Sequence, residues 1–213
     1  CIKVFDASQY LANIMAKDYE NPFNMGFDII LTSLHKNYPG SQKAAVFFRQ
    51  KDELWERVMK GLSIYISNIH PKDVYSLILN FPSYSELKSY SQKMLATTRI
   101  LEEFFVQKHL PVVKRNFNTA WTQHLWLRLD SKEKAYQFFR LLEELHILTN
   151  YRLLPYGIGY GLRLGTAAAV RQGLDEKNVP ALAEIISKAY YANVLDDPLR
   201  KAASTTIATI KKE

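Results

Sequence analysis

A short apolar run that leads into a lysine-bearing loop constrains the fold of this chain more than any other stretch. Phe27 to Leu31 is apolar apart from Asp28, His35-Lys36 follows, and Pro39-Gly40 forms a turn signal. This order predicts a buried strand that delivers a lysine to the loop at its end. In open α/β sheets, ligands bind at the carboxyl ends of strands. The stretch therefore predicts a binding site around Lys36.

The lysine itself is open to two interpretations. A lysine that is shielded at a strand end has a lowered pKa, and its amine is then a usable nucleophile for Schiff-base chemistry. A lysine that follows a strand is also commonly a solvated surface residue. His-Lys is a common dipeptide, so the choice depends on the rest of the chain.

Composition narrows the class of protein. The 213 residues suffice for one large domain or two small ones, and the net charge of +7 is compatible with an anionic ligand. The basic residues are spread out and form no nucleic-acid-binding motif, so we expect no nucleic-acid partner. Cys1 is the only cysteine, which excludes an internal disulfide and zinc-ligand spacing. No apolar run has membrane-spanning length and no signal peptide is visible, so we expect a cytoplasmic protein.

The first part of the chain alternates apolar runs with amphipathic stretches. Strands are predicted at 2–5, 27–31 and 44–48, and helices at 7–17, 51–62 and 74–79. Asp6 lies at the carboxyl end of the first strand. The second and third strands flank the lysine loop, which predicts a hairpin-like return or a neighbouring pair.

A long helix is predicted next. Ser83-Tyr84-Ser85-Glu86 matches a capping box, and apolar residues then recur every three or four positions as far as Phe105. Beyond Pro111 the pattern predicts strands at 125–129, 147–154 and 160–164, with helices that begin near 131, 180 and 198. We therefore expect a large-domain part at 1–82, a long interdomain helix at 83–110 and a small α/β domain at 111–213, whose helices cover one sheet face.

Polar residues at strand ends suggest a binding constellation. Asp6 precedes the lysine by 30 residues, and Thr122-Gln123-His124 opens a strand of the later part. Arg163 lies within a strand between Gly161 and Gly165. Glycines there allow close backbone approach to a ligand, and arginine suits bidentate capture of a carboxylate.

Taken in order, these motifs resemble the serine hydroxymethyltransferase-like family of pyridoxal-phosphate enzymes of fold type I. The matching segments are Asp6-Ala7-Ser8-Gln9, Thr32-Ser33-Leu34-His35-Lys36, Tyr90-Ser91-Gln92, Thr122-Gln123-His124 and Gly161-Leu162-Arg163-Leu164-Gly165-Thr166. The resemblance implies an α/β chain that supplies the later strands of the large domain, a long linking helix and a small C-terminal α/β domain.

The resemblance also implies a cofactor and residue roles. Lys36 would form the Schiff base with pyridoxal 5′-phosphate, and Asp6 would keep the pyridine nitrogen protonated so that the ring acts as an electron sink. Arg163 would bind the carboxylate of an amino-acid substrate. The other expected cofactor-binding residues are Ser8, Gln9, Thr32, Ser33 and His35, with His124 and Arg171 in supporting positions.

Three features depart from the family pattern. Gln9 stands where the family has a histidine, and an amide can donate a hydrogen bond but cannot carry a proton. Residues 37–44 lack the family's Gly-Pro-Arg-Gly-Gly and resemble transaldolase-like relatives more closely. No Gly-Gly is present near residues 68–71, where a neighbouring subunit would touch the phosphate. The resemblance therefore gives no support for folate use.

The largest departure is the small number of strands. The fold needs more strands than this part supplies, and an incomplete sheet would leave open edges and an exposed apolar face. The apolar run at 1–5 suggests the same, since something would normally precede such a strand. We therefore predict that a second polypeptide completes the large domain, in a dimer or hetero-oligomer.

Two functions remain. The chain is either the lysine-bearing part of an enzyme that acts on an amino acid by aldol-type cleavage or transfer, or a scaffold subunit that keeps the fold without catalysis. The first class includes hydroxymethyltransferases, aldolases and transaldolase-like enzymes. The joint presence of Asp6, Lys36 and Arg163 favours it.

Overall fold

The computed structural model describes residues 1–114, 121–192 and 194–211, and this part of the chain is α/β. Its strands are Val4–Asp6 (β1), Ile29–Ser33 (β2), Ala44–Phe48 (β3), His124–Arg128 (β4), Asn150–Leu154 (β5) and Gly159–Gly165 (β6). Its helices are Leu11–Met15 (α1), Glu53–Tyr65 (α2), Pro71–Leu79 (α3), Tyr84–Gln107 (α4), Lys132–Glu144 (α5), Ala167–Arg171 (α6), Val179–Tyr191 (α7) and Asp197–Ile210 (α8). The chain divides into two compact units, Cys1–Gln92 and Lys93–Glu213.

The first unit contains a three-stranded sheet in the order β1-β2-β3. β1 runs parallel to β2, with Asp6 opposite Leu31. β2 runs antiparallel to β3, with Ser33 opposite Ala44, which confirms the predicted neighbouring pair around the lysine loop. Because β1 and β2 are parallel, their carboxyl ends lie at the same edge of the sheet.

β2 begins two residues later than the apolar pattern predicts. Phe27 belongs to the turn before this strand, and its N–H donates to the Pro22 carbonyl at 3.1 Å. The side chain of Asp28 accepts a hydrogen bond from the Lys3 N–H at 2.9 Å. The strand therefore starts at Ile29, and Ile29 and Ile30 are buried.

The first unit leaves much apolar surface exposed. α2 and α3 contain no buried residue, although both are amphipathic. At the end of α2 Ile64 is 69% and Tyr65 87% exposed, and on the sheet Val4 and Leu31 are also exposed. The exposed apolar face that the small number of strands predicts is therefore present in the described part of the chain.

The second unit contains an antiparallel sheet in the order β4-β6-β5. α5 packs against β5, β6 and α7, and α7 packs against α8. The core includes Leu127, Leu142, Leu162, Ala183 and Ile186. Along β6 the buried Leu162 and Leu164 alternate with the half-buried Arg163, which gives the sheet one core face.

Local capping signals in the sequence are confirmed. The Ser83 N–H donates to Glu86 Oε2 at 2.7 Å, and the Glu86 N–H donates to Ser83 Oγ at 3.3 Å, which is the predicted capping box. Ser131 caps α5 by accepting the Lys134 N–H at 3.1 Å. The five-residue α6 was not predicted, and no side chain caps its first turn. In the described residues, no helix has the length and apolar character needed to cross a membrane.

Candidate functional site

Asp6 and the lysine loop lie at the same edge of the first sheet. Asp6 is the last residue of β1, and the loop that carries Lys36 follows Ser33 at the end of β2. The two strands are tied together beyond Asp6, where the Ala7 N–H donates to the Leu31 carbonyl at 2.7 Å. The predicted carboxylate and amine are therefore brought to neighbouring strand ends.

The Asp6 carboxylate is held in its charged form. The Ser8 N–H donates to its Oδ1 at 2.8 Å. Hydrogen bonds from the Ser8 side chain and backbone, and then the positive charge of Lys36, lower the pKa of Asp6 below its ordinary value. Burial opposes this shift to a smaller extent than the Ser8 bonds favour it. The side chain therefore carries a stable negative charge at neutral pH.

Two serines join the ends of β1 and β2. The Ser33 N–H donates to Ser8 Oγ at 3.1 Å, and the two hydroxyl oxygens are 3.3 Å apart. Thr32 is 4% exposed, and its hydroxyl donates to the Ser33 carbonyl at 3.2 Å. Ser8 and Ser33 therefore lie at the site edge, whereas Thr32 is turned into the core. Gln9 follows Ser8 and is half-buried.

The lysine loop presents one pair of residues outward and the next pair inward. His35 and Lys36 are exposed, whereas Asn37 and Tyr38 are 0% and 1% exposed. Of the two interpretations of the lysine, the described residues show the exposed one, because only the two residues after it turn into the core.

The neck of the loop is closed by backbone hydrogen bonds. The Leu34 N–H donates to the Lys43 carbonyl and the Gly40 N–H to the Leu34 carbonyl, both at 2.7 Å. A Cβ on Gly40 would lie 2.8 Å from that Leu34 oxygen and 2.8 Å from a methyl group of Leu77. The Pro-Gly turn is therefore required by packing, and it fixes where the loop returns to β3.

A buried polar network stabilises the loop on its core side, and sequence reasoning missed the central residues of this network. The Ala12 N–H donates to Asn37 Oδ1 at 2.7 Å, and Asn37 Nδ2 donates to Asn13 Oδ1 at 3.0 Å. Asn13 Nδ2 donates to Ser91 Oγ at 2.7 Å, and Tyr90 Oη donates to the Asn37 carbonyl at 3.1 Å. The sequence signal was an asparagine inside the apolar stretch Leu11-Ala12-Asn13-Ile14.

In the second unit, Arg163 lies in the central strand of the sheet. Its neighbour on β5 is Asn150, and Arg163 Nη2 donates to Asn150 Oδ1 at 2.6 Å. Arg163 is half-buried and Asn150 is exposed. Sequence reasoning did not identify Asn150, because the pairing of β5 with β6 had to be known first. The bond restricts the orientation of the guanidinium.

The glycines beside Arg163 have different roles from those expected. A Cβ on Gly161 would lie 2.1 Å from the Leu127 carbonyl oxygen and 2.8 Å from a methyl group of Leu154. On Gly165 it would meet His124 at 3.4 Å, which is ordinary contact. The expectation that both glycines make room for a ligand is wrong at Gly161, where the missing side chain makes room for the neighbouring strand.

The other expected residues of the second unit lie at strand and helix ends. His124 is half-buried at the start of β4, and its N–H donates to Thr122 Oγ1 at 3.2 Å. Arg171 is the exposed last residue of α6. Thr166, the last residue of the arginine motif, is buried and donates to the Met94 carbonyl at 3.1 Å, which attaches the end of β6 to α4.

No cluster of three or more metal-binding side chains occurs within 1–114, 121–192 and 194–211. The site instead combines an anionic carboxylate with a primary amine at adjacent parallel strand ends. The arrangement of strands and helices is that of the later part of a fold type I chain.

Comparisons with known proteins agree with this assignment. The chain is 27% identical to the serine hydroxymethyltransferase of Saccharolobus solfataricus over 196 residues, which cover 87% of this chain and 44% of the relative. It is 25% identical to the serine hydroxymethyltransferase of Aeropyrum pernix, with the same coverage. No protein-family model matches the chain.

The structure matches that of L-threonine transaldolase from Pseudomonas fluorescens in its internal aldimine state. The TM-score is 0.89 and the sequence identity 21%, and the match covers 99% of this chain and 48% of the other. The chain thus spans less than half the length of these relatives. The fold class and the resemblance to the C-terminal part of serine hydroxymethyltransferase-like enzymes, both predicted from the motifs, are confirmed.

Proposed function

We propose that this chain is the lysine-bearing part of a pyridoxal-phosphate-dependent enzyme that acts on an amino acid by aldol-type cleavage or transfer. The observation that carries the proposal is the placement of Asp6 and Lys36 at adjacent carboxyl ends of two parallel strands. Similarity to serine hydroxymethyltransferases supports the reaction class, and the loop sequence after Lys36 supports a transaldolase-like member.

The residues at this edge fit pyridoxal phosphate. The cofactor needs an anion beside its pyridine nitrogen, and Asp6 supplies a carboxylate whose pKa is lowered. It also needs an amine for its aldehyde, and Lys36 is exposed on a loop whose neck is closed by hydrogen bonds. Ser8, Ser33 and Gln9 add polar groups at the same edge.

The chain's own residues would divide the work as follows. Bound pyridoxal phosphate supplies an electron sink that stabilises negative charge at the α-carbon of an amino acid. Asp6 would hold the proton on the pyridine nitrogen, and Lys36 would hold the cofactor through its ε-amine. Arg163, oriented by Asn150, would bind the carboxylate of the substrate with its planar guanidinium.

We also propose that a second polypeptide completes the first sheet, in a dimer or hetero-oligomer. Exposed apolar side chains on β1, β2, α2 and α3, and relatives of about twice the length, support this inference. We further propose that the chain consists of a large-domain part at 1–82, an interdomain helix at 83–110 and a small domain at 111–213, and that the protein is cytoplasmic. Native-mass measurement and a denaturing gel of the protein from its own cells should show a second chain. A single longer polypeptide that contains this sequence would contradict the proposal of a second chain.

Absorbance spectroscopy tests the cofactor proposal. The complete assembly should show a band at about 420 nm, as expected for pyridoxal phosphate on a lysine. Lys36→Ala should abolish the band, whereas Lys43→Ala should keep it, because Lys43 pairs with Asp73 at 3.5 Å. A wild-type assembly that binds no cofactor would show that the proposal is wrong.

A further inference from the structure

We propose that Asn37 is a positioning residue for Lys36, and that it acts through Asn13 and Tyr90 to align the lysine amine with the Asp6 carboxylate. The inference rests on the proposed function, because it assumes that Lys36 binds pyridoxal phosphate. It adds residues to the site that the motifs did not identify.

The first argument is adjacency. Lys36 and Asn37 share one planar peptide group, so their Cα atoms are separated by a fixed distance of about 3.8 Å. Lys36 is exposed and Asn37 is 0% exposed. Any shift of the buried Asn37 therefore moves the lysine backbone by a similar amount.

The second argument is that the asparagine can adopt one orientation. Its Oδ1 accepts the Ala12 N–H, its Nδ2 donates to Asn13, and its carbonyl accepts the Tyr90 hydroxyl. Asn13 is itself held by Ser91. Since these groups are buried, rotation of the Asn37 amide would leave the Ala12 N–H facing an NH₂ group, with no water to replace the lost bond.

The third argument is that the network reaches the other charged residue of the site. Ala12 belongs to α1, and α1 follows directly on the turn that starts after Asp6. The Tyr10 and Leu11 N–H groups both donate to the Ala7 carbonyl, at 2.8 and 2.9 Å. A single amide side chain therefore attaches the lysine loop to the segment that carries Asp6. An apolar side chain could fill the same space, but it would not make these directional bonds.

Labelling of lysines with pyridoxal phosphate tests the proposal on the full chain in its native assembly, from which bound cofactor has been removed. The lysine amine condenses with the aldehyde and releases water, and borohydride then delivers hydride to the C=N bond, which leaves a stable secondary amine. Peptide mass spectrometry measures the label at each lysine over a range of pH. In the wild type, Lys36 should be labelled in preference to Lys17 and Lys88.

Two variants remove the proposed contacts to different extents. Asn37→Ala should lower the rate of labelling at Lys36 by about tenfold or more, since small misplacements of reacting groups have effects of that size. Tyr90→Phe keeps the ring and removes the hydroxyl that binds the Asn37 carbonyl, so it should lower the rate less and keep the fold. Both variants should also change the pH dependence of labelling at Lys36, and neither should change labelling of Lys17.

Asn80→Ala is the matched control. Asn80 is an exposed asparagine whose Nδ2 donates to the Ser76 carbonyl at 2.8 Å, at the end of α3. Its loss should leave Lys36 labelling unchanged. The outcomes separate the two hypotheses. No preference for Lys36 in the wild type would overturn the proposed function. A wild-type preference that both variants retain, at unchanged pH dependence, would overturn the positioning role, even if their melting temperatures fall.

Discussion

Asp6 ends β1, Lys36 lies in the loop that follows the adjacent parallel strand β2, and the charge of the lysine contributes to the lowered pKa of the aspartate. Hydrogen bonds from Ser8 are the main cause of the lowered pKa of Asp6, and Lys36 lowers it further. The carboxylate is therefore ionised, and can interact with a cation, before any ligand binds. This is the arrangement that a protonated pyridine nitrogen requires.

The state of Asp6 gives a prediction about pH. Because its folded-state pKa lies below the ordinary value of 3.8, the ionised group stabilises the fold above about pH 3.8, and this contribution is lost as pH falls through the folded-state pKa. Ser8→Ala removes the hydroxyl and should raise the pKa of Asp6 toward its ordinary value. NMR titration of the Asp6 carboxyl checks this. An unchanged pKa would contradict the role given to Ser8, and Ser41→Ala, outside this contact, is the control.

Tyr38 offers a prediction about stability. Its ring is buried in the loop core, burial raises its pKa, and its hydroxyl has no hydrogen-bond partner in the part of the chain that the structure describes. An unsatisfied buried polar group costs about 1–3 kcal/mol. Tyr38→Phe should therefore leave the free energy of unfolding unchanged or raise it by up to ~1 kcal/mol.

Tyr90→Phe is the comparison for Tyr38→Phe, because the Tyr90 hydroxyl does make a bond, to the Asn37 carbonyl. It should lower the free energy of unfolding by about 0.5–1.5 kcal/mol. Urea unfolding of both variants measures the difference. If Tyr38→Phe proves the more destabilising change, its hydroxyl has a partner outside the described residues.

Gly161 and Gly165 form a matched pair within one strand. A methyl group at 161 would lie 2.1 Å from the Leu127 carbonyl oxygen, whereas at 165 it would make ordinary contact with His124. Gly161→Ala should lower the free energy of unfolding by about 1–3 kcal/mol or more, because β4 and β6 must move apart. Gly165→Ala should change it by less than ~0.5 kcal/mol. Equal effects in chemical denaturation would contradict the steric role of Gly161.

Asn150 is expected to affect substrate binding. Its side-chain oxygen accepts the Arg163 guanidinium at 2.6 Å, and it lies opposite Arg163 in the sheet. Asn150→Ala should raise the KM for the amino acid by about tenfold with a smaller change in kcat, because a carboxylate contact is made in ground state and transition state alike. Arg152→Ala, at an exposed position of the same strand, should leave KM unchanged. A fall in kcat at constant KM would place Asn150 in another role.

Local signals predicted much of this fold. The capping box at Ser83 and the cap at Ser131 depend on residues three positions apart, so the sequence displays both partners together. The predicted bounds were less accurate for elements that depend on a neighbouring turn. β2 begins two residues later than predicted because the Phe27 N–H donates to the Pro22 carbonyl. The apolar pattern does not indicate that bond.

The candidate site likewise combines features that the sequence predicts with features that depend on the tertiary structure. Lys36, Asp6 and Arg163 were identified because motif order along the chain is a property of the sequence. The exposure of Lys36, the space that Gly161 leaves for β4 and the bond from Arg163 to Asn150 depend on which strands become neighbours. Pairing of segments is decided by packing over the whole unit, and no local pattern specifies it.

The loop around Lys36 shows what each level determined. The sequence by itself determined that a lysine follows a buried strand and precedes a Pro-Gly turn, since apolar patterning and turn residues act locally. Only the tertiary structure decided that Asn37 joins that loop to Asn13, 24 residues earlier, and to Ser91 through it. A buried amide needs partners wherever the fold brings them, and here those partners lie in two different helices.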